Sequence, residues 1–173
     1  MHEMTRLPAF PLVTSDPYIS IWSCADDPTQ ADTRHWSGAR KRMTCTLTVD
    51  GTAFSLLGRQ PMQAAKLTGR AVTPTATTYT YEAGTGMSAV EAQLSFRAPL
   101  LLDDLDLLSM PVTFIDLRVR ALDGAPHDVR ATFVLHDDLC YNGDQPQPML
   151  GDAYRADGLA IDRKSTRLNS SHT

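Results

Sequence analysis

The chain of 173 residues is long enough to form one domain of ordinary size or two small ones with a real hydrophobic core. Hydrophobic residues make up 42% of the sequence and charged residues 21%, which is typical of a globular protein and excludes a disordered one. The formal net charge of −4 argues against a nucleic-acid partner, because binding to phosphates requires an excess of positive charge.

The sequence contains no segment that predicts a membrane partner or export. No apolar run reaches the ~20 residues needed to cross a bilayer, and residues 1–6 are not followed by the apolar core of a signal peptide. We therefore expect a cytoplasmic location for the chain as written. Cys24, Cys45 and Cys140 are far apart and form no Cys-x-x-Cys pair, so free thiols are expected rather than a disulfide.

The first specialised stretch spans residues 11–38, PLVTSDPYISIWSCADDPTQADTRHWSG, and contains both tryptophans. Asp16 and the proline after it are typical turn residues. Residues 18–22 are rich in the β-branched and aromatic side chains that strands prefer. Residues 23–33 are polar, acidic and without period, which predicts a surface loop. The loop ends at a cluster of hydrogen-bond donors around the indole of Trp36.

Alternation of apolar and polar residues predicts β-strands in the middle of the chain. Residues 43–58 form the clearest hairpin, with an Asp-Gly pair at its turn. Residues 58–69 are less regular and fit either one short helical turn or a simple connection. Strands are next expected over residues 71–81 and 87–99, joined by a glycine-rich turn.

The pattern continues with strands that are separated by turn residues. Residues 100–110 are the most apolar segment but contain three aspartates, and a short helix and a buried crossing loop both fit. Residues 112–121 and 128–135 are the clearest remaining strands, and the first alternates between a polar face and a core face. Short strands, frequent turns and no long helical period predict an all-β fold, an antiparallel β-sandwich with irregular loops.

The end of the sequence has a different character. Residues 140–158 are rich in glycine, proline and polar residues, which favours a long loop unless another part packs on it. Residues 163–173, RKSTRLNSSHT, look like a read-through tail translated from adapter or contaminating DNA. We interpret them as a non-native C-terminal tail and leave them out of the fold prediction.

Seven residues of the first stretch are candidates for an interface or a ligand site: Asp16, Trp22, Asp26, Asp27, Arg34, His35 and Trp36. Carboxylates beside an imidazole can act as general acid and base or bind a metal ion. Their spacing matches no known ligand signature, so the sequence assigns no catalytic residue, metal or cofactor. The alternative is structural: Arg34 pairs with an aspartate of the loop, while His35 and Trp36 pack the loop onto the sandwich or onto a following domain.

Other polar clusters have simpler interpretations. Residues 136–138, His-Asp-Asp, end a predicted strand, and we expect solvated charges there because three adjacent side chains cannot all face one way. The aspartates of residues 103–106 lack the spacing of a calcium loop and are expected to cap a helix or lie on the surface. No nucleophile motif is present, and Cys24 is expected to be buried or unreactive.

Five segments carry a resemblance to a known family: FPLVTSDPYISIWS, DTRHWSG, TLTVDGTAFSLLG, VTPTATTYTYEAG and LSFRAPLLLDDLDLLSMPVTFIDLRVRALDGAPHDV. In this order they resemble the N-terminal, non-catalytic part of the glutaminase A family. There, the N-terminal segment is followed by a β-rich domain and then by a helical toroid related to six-hairpin glycosidases, which is taken to hold the active site. The resemblance implies an N-terminal segment over residues 1–60 and a supersandwich-like β-sandwich domain over 61–162, with the tail at 163–173.

The resemblance also implies a non-catalytic role inside a larger hydrolase, glutaminase-like or glycosidase-like, so the chain alone is not expected to be an enzyme. Its implied partner is the helical domain of the same polypeptide. The loop of residues 23–38 is expected to dock there, with Trp36 as the apolar anchor and Arg34 and His35 making polar contacts. The alternative is a carbohydrate-binding or active-site lid module for a glycan or a small-molecule substrate. In it Trp22 or Trp36 stacks on a sugar face, and its hydroxyls are hydrogen-bonded by Asp26, Asp27 and Arg34. Family relatives are often exported.

Overall fold

The computed structural model describes residues 7–84, 89–141 and 149–166. Within these ranges a short α-helix, α1, spans Leu105–Leu108, and a 3-10 helix spans Asp137–Cys140. Neither is long and apolar enough to cross a membrane. The strands are β1 (Phe10–Thr14), β2 (Ser20–Ser23), β3 (Arg34–His35), β4 (Met43–Val49), β5 (Thr52–Leu57), β6 (Lys66–Thr73), β7 (Ala76–Ala83), β8 (Val90–Arg97), β9 (Phe114–Ala121), β10 (Val129–Leu135), β11 (Met149–Ala156) and β12 (Leu159–Thr166).

Two antiparallel sheets pack face to face and form the hydrophobic core. One has the strand order β10-β4-β5 and the other β6-β7-β8-β9. In β4 and β8 alternate side chains are buried, because a strand directs successive side chains to opposite faces. The predicted all-β antiparallel sandwich is therefore confirmed. The largest fully buried side chains include Tyr79, Tyr81, Phe10, Phe96, Met43, Leu47, Leu56, Leu57 and Leu94.

The predicted hairpin over residues 43–58 is confirmed as β4 and β5. Its turn residues, Asp50 and Gly51, have φ angles of 49° and 81°. Two successive left-handed residues give the hairpin turn whose twist matches that of the flanking strands. The strands predicted over residues 87–99, 112–121 and 128–135 are confirmed as β8, β9 and β10. Residues 87 and 88 lie outside the described residues.

A third sheet, in the order β1-β2-β3, packs on the sandwich and carries the specialised first stretch. Phe10, Leu12 and Ile21 of this sheet are buried with the core. The Phe10 ring meets the ring of Tyr79 edge-on, with 6.4 Å between the centroids. The polar residues of the stretch are thus held on a support that belongs to the main core.

The predicted strand over residues 71–81 is two strands in the structure. A turn at Pro74 and Thr75 divides it into β6 and β7, which pair with each other. Proline cannot donate to a strand ladder, so it ends β6. The period-2 pattern continues through the turn, and Pro74 was the local signal against one long strand.

The apolar segment of residues 100–110 is exposed. Of the two alternatives the short helix is observed, and Asp104 caps it by accepting a hydrogen bond from the backbone N–H of Leu107 at 3.0 Å. The capping role expected of an aspartate here is confirmed. None of the α1 residues is buried, so the idea of a buried crossing loop was wrong.

The last described part of the chain is a separate hairpin. β11 and β12 pair through a turn at Asp157 and Gly158, with φ angles of 50° and 80°, the same chemistry as in the first hairpin. The long loop predicted over residues 140–158 was therefore wrong from residue 149 onwards, and residues 142–148 lie outside the described residues. The Asp-Gly pair was the signal that could have predicted this hairpin.

Strand β12 crosses the predicted start of the C-terminal tail. Residues 163–166 form its end, and residues 167–173 lie outside the described residues. The boundaries at residues 60 and 162 and the non-native origin of the tail stay predictions.

Candidate functional site

The first stretch begins with a tight turn at Asp16. Its carboxylate accepts hydrogen bonds from the backbone N–H groups of Tyr18 at 2.7 Å and Ile19 at 3.0 Å, a local turn that Asp favours. β2 therefore begins later than the strand predicted over residues 18–22. Tyr18 and Ile19 lie on the surface, 85% and 42% exposed.

The carbonyl oxygen of Pro17 joins His35 and Trp36 to this turn. It accepts a hydrogen bond from Trp36 Nε1 at 2.8 Å and lies 2.9 Å from His35 Nε2. Because a carbonyl only accepts, Nε2 carries the proton, and Nδ1 accepts from the hydroxyl and the backbone N–H of Ser37 at 2.8 and 3.2 Å. Both ring nitrogens of His35 are thus engaged inside the loop rather than presented to a substrate or a metal ion.

Three apolar side chains of this stretch are presented to solvent. Trp36 is 65% exposed although its indole N–H is hydrogen-bonded, so the exposed part of the side chain is its apolar ring. We call Tyr18, Ile19 and Trp36 the aromatic surface. It is supported from below because β2 pairs with β3, which places the buried Ile21 opposite His35.

Arg34 and Trp22 make hydrogen bonds within the first stretch. Arg34 Nη1 donates to the carbonyl of Gly38 at 2.8 Å, in place of the aspartate that the sequence suggested. Trp22 is half-buried, and its Nε1 donates to Ser20 Oγ at 2.9 Å. These contacts close the turn after β3 and leave Trp36 as the more accessible of the two indoles.

Asp26 ties the loop to the sandwich, and Asp27 holds a turn within the loop. Asp27 accepts from the backbone N–H of Thr29 at 2.9 Å and from its hydroxyl at 2.7 Å. The Asp26 carboxylate lies 3.5 Å from Arg70 Nη1, which also donates to the Asp26 carbonyl at 2.5 Å. The Arg70 side chain is 3% exposed and lies over the Phe10 ring at 4.0 Å. The loop is therefore anchored by a buried guanidinium.

The seven candidates thus fall into separate groups. Asp16, His35 and Trp36 meet around the Pro17 carbonyl, whereas Asp26 and Asp27 are bound to Arg70 and Thr29. Within the described residues, no group of three or more His, Cys, Asp or Glu side chains is placed to hold a metal ion.

The cysteines differ in their surroundings. All three are free thiols, as predicted. Cys45 is buried in β4, and burial raises the pKa of its thiol to about 12, so this thiol stays protonated near neutral pH. Cys24 is exposed rather than buried.

A buried ionic cluster around Asp138 was not predicted from the sequence. Asp138 is 2% exposed, and its carboxylate accepts from Arg42 at the backbone N–H, 2.7 Å, and at Nε, 2.5 Å. The hydrogen bond to Asp138 raises the pKa of Arg42. Buried Lys41 donates from Nζ to the carbonyls of Asp138, at 2.5 Å, and of Tyr141. The solvated charge expected at Asp138 was wrong, because its partner lies 96 residues earlier in the chain.

A second missed cluster links the β4–β5 turn to the β9–β10 connection. His127 Nδ1 lies 2.7 Å from Asp50 Oδ2, and its Nε2 lies 3.0 Å from Asp123 Oδ1. Hydrogen bonds to Asp123 and Asp50 raise the pKa of His127, and the bond to His127 lowers the pKa of both carboxyl groups. The backbone N–H of Asp128 also donates to Asp50 at 2.9 Å. The cluster fixes the two connections together at one end of the sandwich.

Two family models match the chain, in sequence order. Residues 1–69 match the domain of unknown function DUF4964, and residues 75–157 match the domain of unknown function DUF5127. The chain is therefore a β-rich region that is similar to these two domain families in succession. β4 and β5 lie in the first match and β7 to β10 in the second, so the sandwich is shared between them.

The chain is also similar to a curated protein, glutaminase A from Aspergillus oryzae. The two are 27% identical over 138 residues, which cover 72% of this chain and 19% of the relative. The resemblance predicted from the motifs is confirmed: this chain is related to the N-terminal part of glutaminase A, and it spans about a fifth of that protein. No solved structure matches the chain significantly.

Proposed function

We propose that this chain is the non-catalytic N-terminal β-sandwich portion of a glutaminase-A-like hydrolase, where it packs against and supports the helical domain that holds the active site. The observation that carries the proposal is the exposure and hydrogen bonding of Trp36. The residue is 65% exposed while the only polar group of its side chain is already bound to the Pro17 carbonyl. An aromatic ring held in this way is suited to an apolar contact with another protein surface.

The neighbouring groups support the same function. Tyr18 and Ile19 add exposed apolar area beside Trp36, and the turn at Asp16 and the bonds of His35 hold the backbone beneath them. A surface that is ordered before binding loses less conformational entropy when a partner covers it. The aromatic surface is therefore proposed as the contact to the helical domain.

A carbohydrate-binding or lid function is the second candidate, and the exposed rings of Tyr18 and Trp36 favour it. Stacking on a sugar also requires polar groups for the hydroxyls. Of the charged candidates, Asp27 is bound to Thr29, Asp26 lies beside Arg70, and Arg34 is bound through Nη1 to the Gly38 carbonyl. The geometry therefore supports an apolar protein contact better than a glycan site. Titration with a glycan panel, followed by tryptophan fluorescence, separates the two: quenching by a glycan would favour the second function.

The test compares Trp36→Ala and Tyr18→Ser in two proteins, the 173-residue chain and the whole polypeptide obtained by following the reading frame at its source locus. Tyr154→Ala is the control, since Tyr154 is an exposed aromatic residue in the separate hairpin. We expect both substitutions to lower the Tm and the activity of the whole polypeptide and Tyr18→Ser to leave the Tm of the shorter chain unchanged. An unchanged Tm and activity of the whole polypeptide would contradict the proposal.

A further inference from the structure

Among the described residues, no strand extends the sandwich on the side where β9 and β10 form the edges of the two sheets, and we call this its open side. Residues that pair directly across an antiparallel ladder point to the same face. Ile115 and Val119 of β9 pair with the buried Phe96 and Ala92 of β8. The side chains of Ile115 and Val119 therefore point toward the core face.

The same holds for β10 in the other sheet. Val129 pairs with the buried Val49 of β4, and Leu135 pairs with the buried Met43. Phe133, between them in β10, approaches Phe96 to 6.3 Å between ring centroids, so β10 lies over the core beside β8. The two edge strands thus bring their apolar faces to the same side of the sandwich.

These core-facing side chains are only partly covered. Ile115 and Val119 are each 37% exposed, and Val129 is 36% exposed. The opposite face of β9 is polar as predicted, with Arg97 bonded to Asp116 at 2.6 Å. Exposure of the apolar face together with a solvated polar face indicates that a neighbouring element is missing.

The other two sheet edges are protected. The edge of β5 is covered by backbone, because Ser55 N–H donates to the Gln63 carbonyl at 2.8 Å and Ala65 N–H donates to the Ser55 carbonyl at 2.9 Å. β6 is irregular between Leu67 and Gly69. By contrast, β9 and β10 keep uninterrupted register with their neighbours, and no described strand pairs with their outer edges.

We propose that this open side, the outer edges of β9 and β10 with Ile115, Val119 and Val129, is completed by further β-strands of the same polypeptide. The added strands pair with both edges and cover the three side chains with their own apolar face. The inference rests on the proposed function in one respect, that this region is part of a longer polypeptide.

A strand is the occupant that satisfies the chemistry of the site. Each edge presents a row of backbone N–H and C=O groups, which a strand can pair with and a helix cannot. The source is the same polypeptide because the matched region is only 19% of the relative's length, which leaves ample further chain. A second copy of this chain is the competing occupant and is distinguished below.

Amide hydrogen exchange tests the proposal in the 173-residue chain and in the whole polypeptide. In an antiparallel edge strand every second N–H points away from the neighbouring strand and exchanges fast. We expect these amides of β9 and β10 to slow at least about tenfold in the whole polypeptide while it is monomeric. Equal exchange in both proteins overturns the proposal, as does a reading frame that ends at residue 173. Protection that develops only with dimerisation assigns the edge to a second copy and also overturns it.

A pair of variants on the two faces of β9 adds a second readout. Val119→Lys introduces a charge at the covered face, and Arg118→Lys keeps the charge on the polar face. We expect Val119→Lys to lower the Tm of the whole polypeptide by several degrees more than that of the 173-residue chain, with Arg118→Lys nearly silent in both. Equal losses in the two proteins would show that no further strand covers Val119.

The outcomes separate this inference from the proposed function. If Trp36→Ala destabilises the whole polypeptide while β9 and β10 stay unprotected, the docking function stands and the completion of the sandwich is overturned. If the edges become protected while Trp36→Ala is silent, the completion stands and docking through the aromatic surface is overturned.

Discussion

Tyr81 donates its phenolic hydroxyl to the backbone carbonyl of Leu56 at 2.6 Å, and both residues are fully buried between the two sheets. Burial raises the pKa of Tyr81 well above its usual value, so the hydroxyl remains a donor throughout the neutral range. Leu56 belongs to the first family match and Tyr81 to the second. The two matched regions therefore share one core through a direct hydrogen bond.

Replacing Tyr81 with Phe is expected to lower the free energy of unfolding by about 1–2 kcal/mol, because it removes a buried hydrogen bond and leaves a carbonyl without its donor. Urea unfolding of the 173-residue chain measures the change. Tyr18→Phe is the matched control, since Tyr18 is exposed and its hydroxyl should contribute little. Equal effects of the two substitutions would contradict the role of the Tyr81 hydrogen bond.

The first matched region is expected not to fold without the second. Residues 1–69 alone would expose Leu47, Phe54 and Leu56, which are at most 2% exposed in the whole chain. We expect this segment to give the circular dichroism and amide exchange of an unfolded chain, and the 173-residue chain to unfold its sandwich in one cooperative transition. A cooperative unfolding transition of residues 1–69 alone would show that the two regions are independent domains.

The sequence was sufficient where the signal is local. The β4–β5 hairpin was predicted because an Asp-Gly pair sits between two alternating segments, and its turn has the left-handed angles that this pair adopts. The two faces of β9 were also predicted correctly, because polar and apolar residues alternate along this strand. That the core face of β9 is partly exposed could not be predicted, because exposure depends on which strands lie beside it.

The candidate site shows the same limit. His35 and Trp36 were selected from composition, but both contact the carbonyl of Pro17, which lies 18 and 19 residues earlier in the sequence. The pairing of Arg42 with Asp138 spans 96 residues, and nothing in the local run of basic residues indicated it. Contacts of this kind follow from the packing of the sheets rather than from spacing along the chain.

The stability contributed by His127 is expected to depend on pH. Its folded-state pKa is raised, so its contribution is complete below the unfolded value of ~6.5 and is lost as the pH rises through the folded value. Asp50 and Asp123 have lowered folded-state pKa values, so their contribution is present above the unfolded value of ~3.9 and is lost as the pH falls through the folded values. The cluster is most stabilising between about pH 4 and pH 6.5.

Thermal unfolding from pH 3 to pH 9 of the native chain and of His127→Gln measures this dependence. We expect the difference in Tm to be largest within that window and to shrink on both sides of it. In an Asp50→Asn, Asp123→Asn background, His127→Gln should give no such maximum. A difference in Tm that is constant with pH would contradict the ionic character of the cluster.

Asp138→Ala is expected to destabilise the chain by about 2–3 kcal/mol, below the usual cost of breaking a buried ion pair because the Arg42 side chain is 32% exposed. Asp137→Ala is the matched control. Its carboxylate lies 3.7 Å from Arg42 Nη2 but is 53% exposed, so its loss should cost less than about 1 kcal/mol. Urea unfolding measures both changes, and similar values for the two variants would show that burial of Asp138 does not matter.

The most direct test of the docking function is the accessibility of Trp36 to a soluble quencher. In a Trp22→Phe background Trp36 is the only remaining tryptophan of the 173 residues, and acrylamide should quench its fluorescence efficiently in this chain because the residue is 65% exposed. In the whole polypeptide, with the tryptophans outside this region replaced by Phe, docking predicts that quenching of Trp36 falls severalfold. Equal quenching in the two proteins would show that no other domain covers Trp36.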